Sequence, residues 1–164
     1  MVDNRIVIEG SNEVPLLQKL YRSGVTSPTL VLIHAPWCPW CMRLRPEWDA
    51  LCETVENDIP NMQILEIDRQ AVSAALRQHD PILEAIDSKS TIGTVPQICL
   101  VLDKRQGSSR SSQSDPGSRK DALLPPSKKG FDVHDYDEYI GGPDSKGEHR
   151  SQENILYFVR DCLR

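Results

Sequence analysis

Apolar residues fall along this chain in two rhythms. Short continuous runs alternate with longer stretches in which apolar positions recur at helical spacing. The runs predict strands buried on both faces, and the longer stretches predict helices with one apolar stripe. Arg5 to Glu9 reads as a short strand. Ser11 is placed to cap a helix with Val14, Leu17, Leu20 and Tyr21 on one face. Gly24 stands where a helix ends, and Pro28 marks a connecting turn. Thr29 to His34 is a nearly unbroken apolar run, the pattern of a central strand.

A long helix is expected from about Pro39 to Glu56. Met42, Leu44, Trp48, Leu51, Cys52 and Val55 form its apolar side, and Pro46 is expected to kink it. Met62 to Ile67 predicts a third strand, and Ala71 to Ile86 a helix broken near Asp80–Pro81. Gln97 to Leu102 predicts a fourth strand. Further on, His134 to Ile140 reads as a strand, Gly141–Gly142 as a turn and Ser151 to Leu163 as a last helix. Ile155, Phe158, Val159 and Cys162 share one stripe of that helix. Alternating elements of this kind predict an α/β fold in which helices flank a central sheet.

Lys104 to Gly130 breaks the pattern. Seven of its 27 residues are Ser and three are Pro, and seven Lys and Arg stand against two Asp. Such a segment buries too little apolar surface to order itself. It reads as a low-complexity basic insertion, 104–130, disordered, before the last strand of a single domain spanning 1–164. A solvated loop and a basic tether for an acidic partner both fit it.

The length suits one domain with its own core. The formal net charge of -5 argues against a nucleic-acid partner. No apolar run approaches the ~18 residues of a membrane span. The opening residues lack the basic start and long apolar stretch of a signal peptide. These features predict a soluble, cytoplasmic, monomeric protein.

Of five cysteines, only Cys38 and Cys41 are close in sequence; Cys52, Cys99 and Cys162 are isolated. An odd, scattered set is no disulfide framework. In a reducing compartment such residues point to catalysis, metal binding or burial. Cys38-Pro39-Trp40-Cys41 directly follows a buried run and opens a helix. Unpaired N–H groups and the positive end of the helix dipole there stabilise a thiolate at Cys38. Cys41, one turn on, is placed to attack a mixed disulfide formed at Cys38. A zinc site would need a second Cys or His pair, which the spacing does not provide. An unreactive buried pair is the other alternative.

The segment Ala35-Pro36-Trp37-Cys38-x-x-Cys41-x-x-Leu44-x-Pro46-Glu47-Trp48 resembles the active-site helix of the thioredoxin superfamily, especially that of protein disulfide isomerase domains. Thr94-Val95-Pro96-Gln97-Ile98 resembles the cis-proline loop of glutaredoxins. Ile140-Gly141-Gly142-Pro143-Asp144-Ser145 resembles their glycine pair and acidic residue. The resemblance implies a thioredoxin-like fold with a mixed sheet. It implies a cis bond before Pro96, lying against the cysteines, and strand-like pairing of substrate with Val95. By the same resemblance Trp37, Pro39, Trp40, Thr94, Val95, Pro96, Gly142 and Asp144 contact substrate, and Asp144 receives the γ-glutamyl amine of glutathione. Cys52 and Cys162 are expected in the core, Cys99 buried in its strand and Trp37 packed beside the site.

Three departures qualify the resemblance. Leu32 occupies the place of the buried acid that thioredoxins carry in the strand before the cysteines, so no carboxylate is expected there to take the proton of Cys41. Ala35, beside His34, occupies the place of a glutaredoxin lysine, and Arg43 is the candidate substitute. Pro143 to Arg150 delays the last helix.

The expected function is dithiol thiol–disulfide exchange. Cys38 and Cys41 are the catalytic pair, no cofactor is tightly bound, and glutathione is the co-substrate. The expected partners are disulfide-containing proteins, with glutathione or a thioredoxin-type reductase as electron source. The expected potential is glutaredoxin-like, roughly -200 to -230 mV. The alternative is an iron–sulfur cluster held through Cys38 and glutathione.

Overall fold

The computed structural model describes residues 5–21, 27–89, 92, 95–103, 131–139 and 151–163. The expected insertion, 104–130, and the expected turn at Gly141–Gly142 lie outside them. Five strands form one mixed sheet: β1 (Arg5–Ile8), β2 (Thr29–His34), β3 (Gln63–Asp68), β4 (Gln97–Asp103) and β5 (Phe131–Asp135), in spatial order β1-β3-β2-β4-β5. β1, β3 and β2 run parallel, β4 runs antiparallel to β2, and β5 antiparallel to β4. The helices are α1 (Pro39–Asp58), α2 (Arg69–Arg77), α3 (Pro81–Lys89), α4 (Tyr136–Tyr139) and α5 (Gln152–Leu163).

Strand alternation splits the core into two layers. Leu30 and Leu32 of β2, Ile64 of β3, and Ile98 and Leu100 of β4 pack with Trp48, Leu51 and Val55 of α1 and Phe158 of α5. The intervening Val31, Ile33, Leu65, Ile67 and Val101 face Leu17, Val72 and Ile82 on the other side. α5 is tied to α1 by polar contacts as well. Gln152 Nε2 donates to Thr54 Oγ1 at 2.7 Å, and Arg160 pairs with Asp58 at 2.9 Å.

Local sequence explains the breaks between elements. α2 ends with His79 in the left-handed region, φ 60°. The His79 N–H reaches Leu76 O at 3.0 Å and the Asp80 N–H reaches Ala75 O at 3.0 Å, which satisfies the last carbonyls. Asp80 then caps α3 through Leu83 N–H at 3.0 Å, and Pro81 opens it. This is the expected break near Asp80–Pro81. Ser11–Tyr21 is wound as a 3-10 helix. Pro15 cannot donate the bond an α-helix would need, while Val14, Leu17 and Leu20 are buried as the spacing predicts.

Two expectations are corrected. The last strand runs over Phe131–Asp135 rather than His134 to Ile140. Asp135 Oδ1 accepts the Asp137 N–H at 2.8 Å, a cap that turns the chain into α4. Met42 does not belong to the buried stripe of α1; it is 67% exposed. It lies two residues before Leu44, ~200° around the helix. α1 continues through Pro46 as one helix.

Candidate active site

The helix α1 begins at the end of β2. Cys38 is its N-cap, with extended φ -89° and ψ 115°, and Pro39 occupies the first helical turn. Proline suits that place because its missing N–H would have no partner there. The Cys38 sulfur accepts the Cys41 N–H at 3.2 Å. Its thiol donates to Val95 O at 3.6 Å. The Val95–Pro96 bond is cis. Two chain segments remote in sequence thus meet at one sulfur, and the helix dipole faces it with its positive end. Cys38 is only 2% exposed, Cys41 is half-buried, and no disulfide joins them.

Exposed apolar side chains flank this enclosed sulfur. Trp37 is 63% and Trp40 51% exposed. The Arg43 guanidinium stacks over the Trp40 ring at 4.9 Å. Trp37, expected to pack beside the site, instead stands out into solvent. Thr94, Gly142 and Asp144 lie outside the described residues. Of the isolated cysteines, Cys52 and Cys99 are buried as expected, whereas Cys162 is only partly buried, packed against the α1 layer rather than within the core. Burial pushes the Cys52 thiol up to about 12, and Cys99 is also raised by burial. Among the described residues no group of three His, Cys, Asp or Glu side chains gathers as a metal site.

Under α1 lies an acid that sequence reasoning missed. Glu66 of β3 is 1% exposed. Strand alternation puts it on the α1 side with Ile64, in register with Leu32. Arg45 Nη1 reaches Glu66 Oε1 at 2.6 Å, and Arg5 Nε donates to Glu66 Oε2. Arg5 also pairs with Asp49 at 2.8 Å. Burial alone would raise the carboxyl, but the two guanidinium groups outweigh it and hold it below its ordinary range. A Glu inside the run Ile64-Leu65-Glu66-Ile67 was the available signal. His34 closes the same face of β2 beyond Leu32. Burial, then Arg45, lowers its pKa, so the imidazole is held neutral.

The thioredoxin family model matches residues 14–123. A mitochondrial thioredoxin domain-containing protein of Schizosaccharomyces pombe is 31% identical over 112 residues, 67% of this chain and 28% of the relative. Protein disulfide-isomerase A5 of Mus musculus is 34% identical over 50 residues, 30% of this chain and 10% of that protein. The chain therefore spans little more than a quarter of the first relative and a tenth of the second. In fold it is similar to the first thioredoxin domain of mouse protein disulfide-isomerase A4, with a TM-score of 0.50 and 20% identity. That match covers 99% of this chain and 78% of the other. With the family pattern spanning both cysteines and the cis-proline, this chain belongs to the thioredoxin family.

Proposed function

We propose that the chain is a dithiol thiol–disulfide oxidoreductase acting on protein disulfides. The observation that carries this reading is the enclosure of Cys38 Sγ between the Cys41 N–H and the Val95 carbonyl, beside a cis-proline. The Cys38 thiolate attacks one sulfur of a substrate disulfide. A mixed disulfide forms, and the departing thiolate takes up a proton. Cys41 then attacks Cys38 Sγ, the Cys38–Cys41 disulfide forms, and the second substrate thiol leaves. Two electrons pass from the pair to the substrate, and an external thiol reductant restores the pair. The exposed Trp37, Trp40 and Met42 offer apolar contact to a polypeptide around the target disulfide.

Two electron sources remain as readings. Glutathione would be held by Gly142 and Asp144. A thioredoxin-type reductase is favoured by the match to the thioredoxin family. Insulin reduction coupled either to glutathione and its reductase or to a thioredoxin reductase separates them. Wild type is expected to turn over in one arm, and Cys38→Ser in neither. Equal turnover by wild type and Cys38→Ser would overturn the assignment.

A further inference from the structure

We propose that Arg43 is a specificity residue that binds a carboxylate beside the target disulfide, so that the site prefers polypeptides with Asp or Glu next to the reacting cysteine. The inference deepens the proposed function and rests on it.

Arg43 stands at the rim of the site. It is exposed and follows Cys41 by two residues near the start of α1. Its guanidinium lies over the Trp40 ring, 4.9 Å from the centroid. Trp40 sits between the two cysteines in the chain, and its ring is half-exposed. The stack therefore holds a cation against the segment that carries both sulfurs. Stacking occupies the flat face of the guanidinium and leaves its edge N–H groups for a ligand. That edge is the fork that meets a carboxylate in two parallel hydrogen bonds.

The charge is not cancelled locally. Among the described residues no acid pairs with Arg43, whereas Arg45 is bound by both Glu66 and Asp49. From Pro36 to Leu44, Arg43 is the one residue among Lys, Arg, His, Asp and Glu. α1 has no acid in its first turn, and the segment Val95–Pro96–Gln97 that meets Cys38 is uncharged. The whole chain carries -5, so this rim is a cationic spot on an acidic protein. A polypeptide whose disulfide reaches Cys38 brings its neighbouring residues to Trp37, Trp40 and Met42, which are exposed, uncharged and indifferent to sequence. Arg43 adds the selectivity: an acidic neighbour gains an ion pair there, and a basic one is repelled.

The test uses the reduced full chain with Cys162→Ser and three short peptides, each with one cysteine activated as a 2-pyridyl disulfide. The peptides differ only in the residues flanking that cysteine: Glu, Gln or Lys. When Cys38 attacks, the Cys38–peptide bond forms, the peptide–pyridyl bond breaks, and the uncharged pyridinethione that leaves is read by its absorbance. No external reductant is needed. The Glu-flanked peptide is expected to react about two- to fivefold faster than the Gln-flanked one, the range of an exposed ion pair, and the Lys-flanked one slowest. Arg43→Gln should abolish this order, and Arg43→Lys should restore part of it. The preference should fade between about 0.01 M and about 1 M salt, as the screening length drops from ~30 Å to ~3 Å. Equal rates for the three peptides, or an order that survives in Arg43→Gln, would overturn the inference while leaving the proposed function standing. A uniform slowing of all three in Arg43→Gln would make Arg43 an activator of the sulfur and also overturn it. An Arg43-dependent rate with oxidised glutathione alone would assign the carboxylate to glutathione instead of a polypeptide. No reaction of wild type with any of the peptides, nor any difference from Cys38→Ser, would overturn the proposed function and this inference with it.

Discussion

Leu32 and Glu66 are partners across the β2–β3 ladder: the strand before the cysteines carries an apolar residue, and its neighbour carries the buried acid. The charge is not left alone, since Arg5 and Arg45 both bind it. These arginines are partly exposed, so water shares their charge. Losing the acid should therefore cost less than the ~3–5 kcal/mol typical of breaking a fully buried pair. Glu66→Gln is expected to destabilise by about 1–3 kcal/mol, the cost of hydrogen bonds to charged groups. Arg160→Gln, which breaks the exposed pair with Asp58, should cost no more than about 1 kcal/mol. Urea midpoints at unchanged slope measure both. Equal shifts would show that Glu66 is solvated like a surface acid.

Much of this arrangement was legible because its signals are local. The apolar runs marked β2, β3 and β4, and Asp80–Pro81 marked a helix boundary through capping chemistry that needs only neighbouring residues. The C-x-x-C at the head of a helix, with Val95–Pro96 downstream, pointed to the site. The misses have a common cause. Register between β2 and β3 pairs residues 34 positions apart, so nothing near Leu32 announces Glu66. Tyr136 suits a strand as well as a short helix, and the Asp135 side chain decides between them. Trp37 looked like a packing residue by type, yet the chain at the N-terminus of α1 leaves its ring in solvent.

Of the five thiols, Cys52 and Cys99 should resist modification; exposure alone does not decide this, since Cys38 is as little exposed as Cys52 but lies at the start of α1 beside the cis-proline. Cys52 and Cys99 are enclosed and their thiols are raised, so few thiolates form. Native protein treated with iodoacetamide near neutral pH should be modified within Cys38, Cys41 and Cys162, with Cys52 and Cys99 untouched until denaturant is added. Peptide mass mapping before and after unfolding reads this directly. Rapid native modification of Cys52 would contradict its place beneath α1.

Trp40 should matter to large substrates and little to the fold. Its ring is half-exposed and covered on one side by Arg43, so Trp40→Ala is expected to change stability by less than about 0.5 kcal/mol. A polypeptide disulfide loses an apolar contact, and kcat/KM for insulin should fall about fivefold, close to 1 kcal/mol at ~1.4 kcal/mol per decade. Dithionitrobenzoate, too small to span the patch, should react at nearly the wild-type rate. A parallel loss with both substrates would place the effect at the sulfur instead.

Acid should act on this fold through three groups with different signs. His34 has a folded pKa below its ordinary 6.5, so the unfolded chain binds its proton first. Its contribution is present above 6.5 and is lost as pH falls towards the folded value. Glu66, held below 4.5 by its arginines, behaves likewise at lower pH: its stabilisation is present above 4.5 and is lost as pH falls through the depressed value. Asp80 runs the other way. Burial, only partly offset by the Leu83 N–H and Tyr21 hydroxyl, raises it above 3.8. Its protonated form is favoured in the fold, so this contribution is full below 3.8 and is lost as pH rises through the raised value. Stability should thus fall in two steps on acidification, with Asp80 blunting the lower one. Urea midpoints across pH check the signs: His34→Phe should erase the upper step and Glu66→Gln the lower. Persistence of the upper step in His34→Phe would assign it to another group.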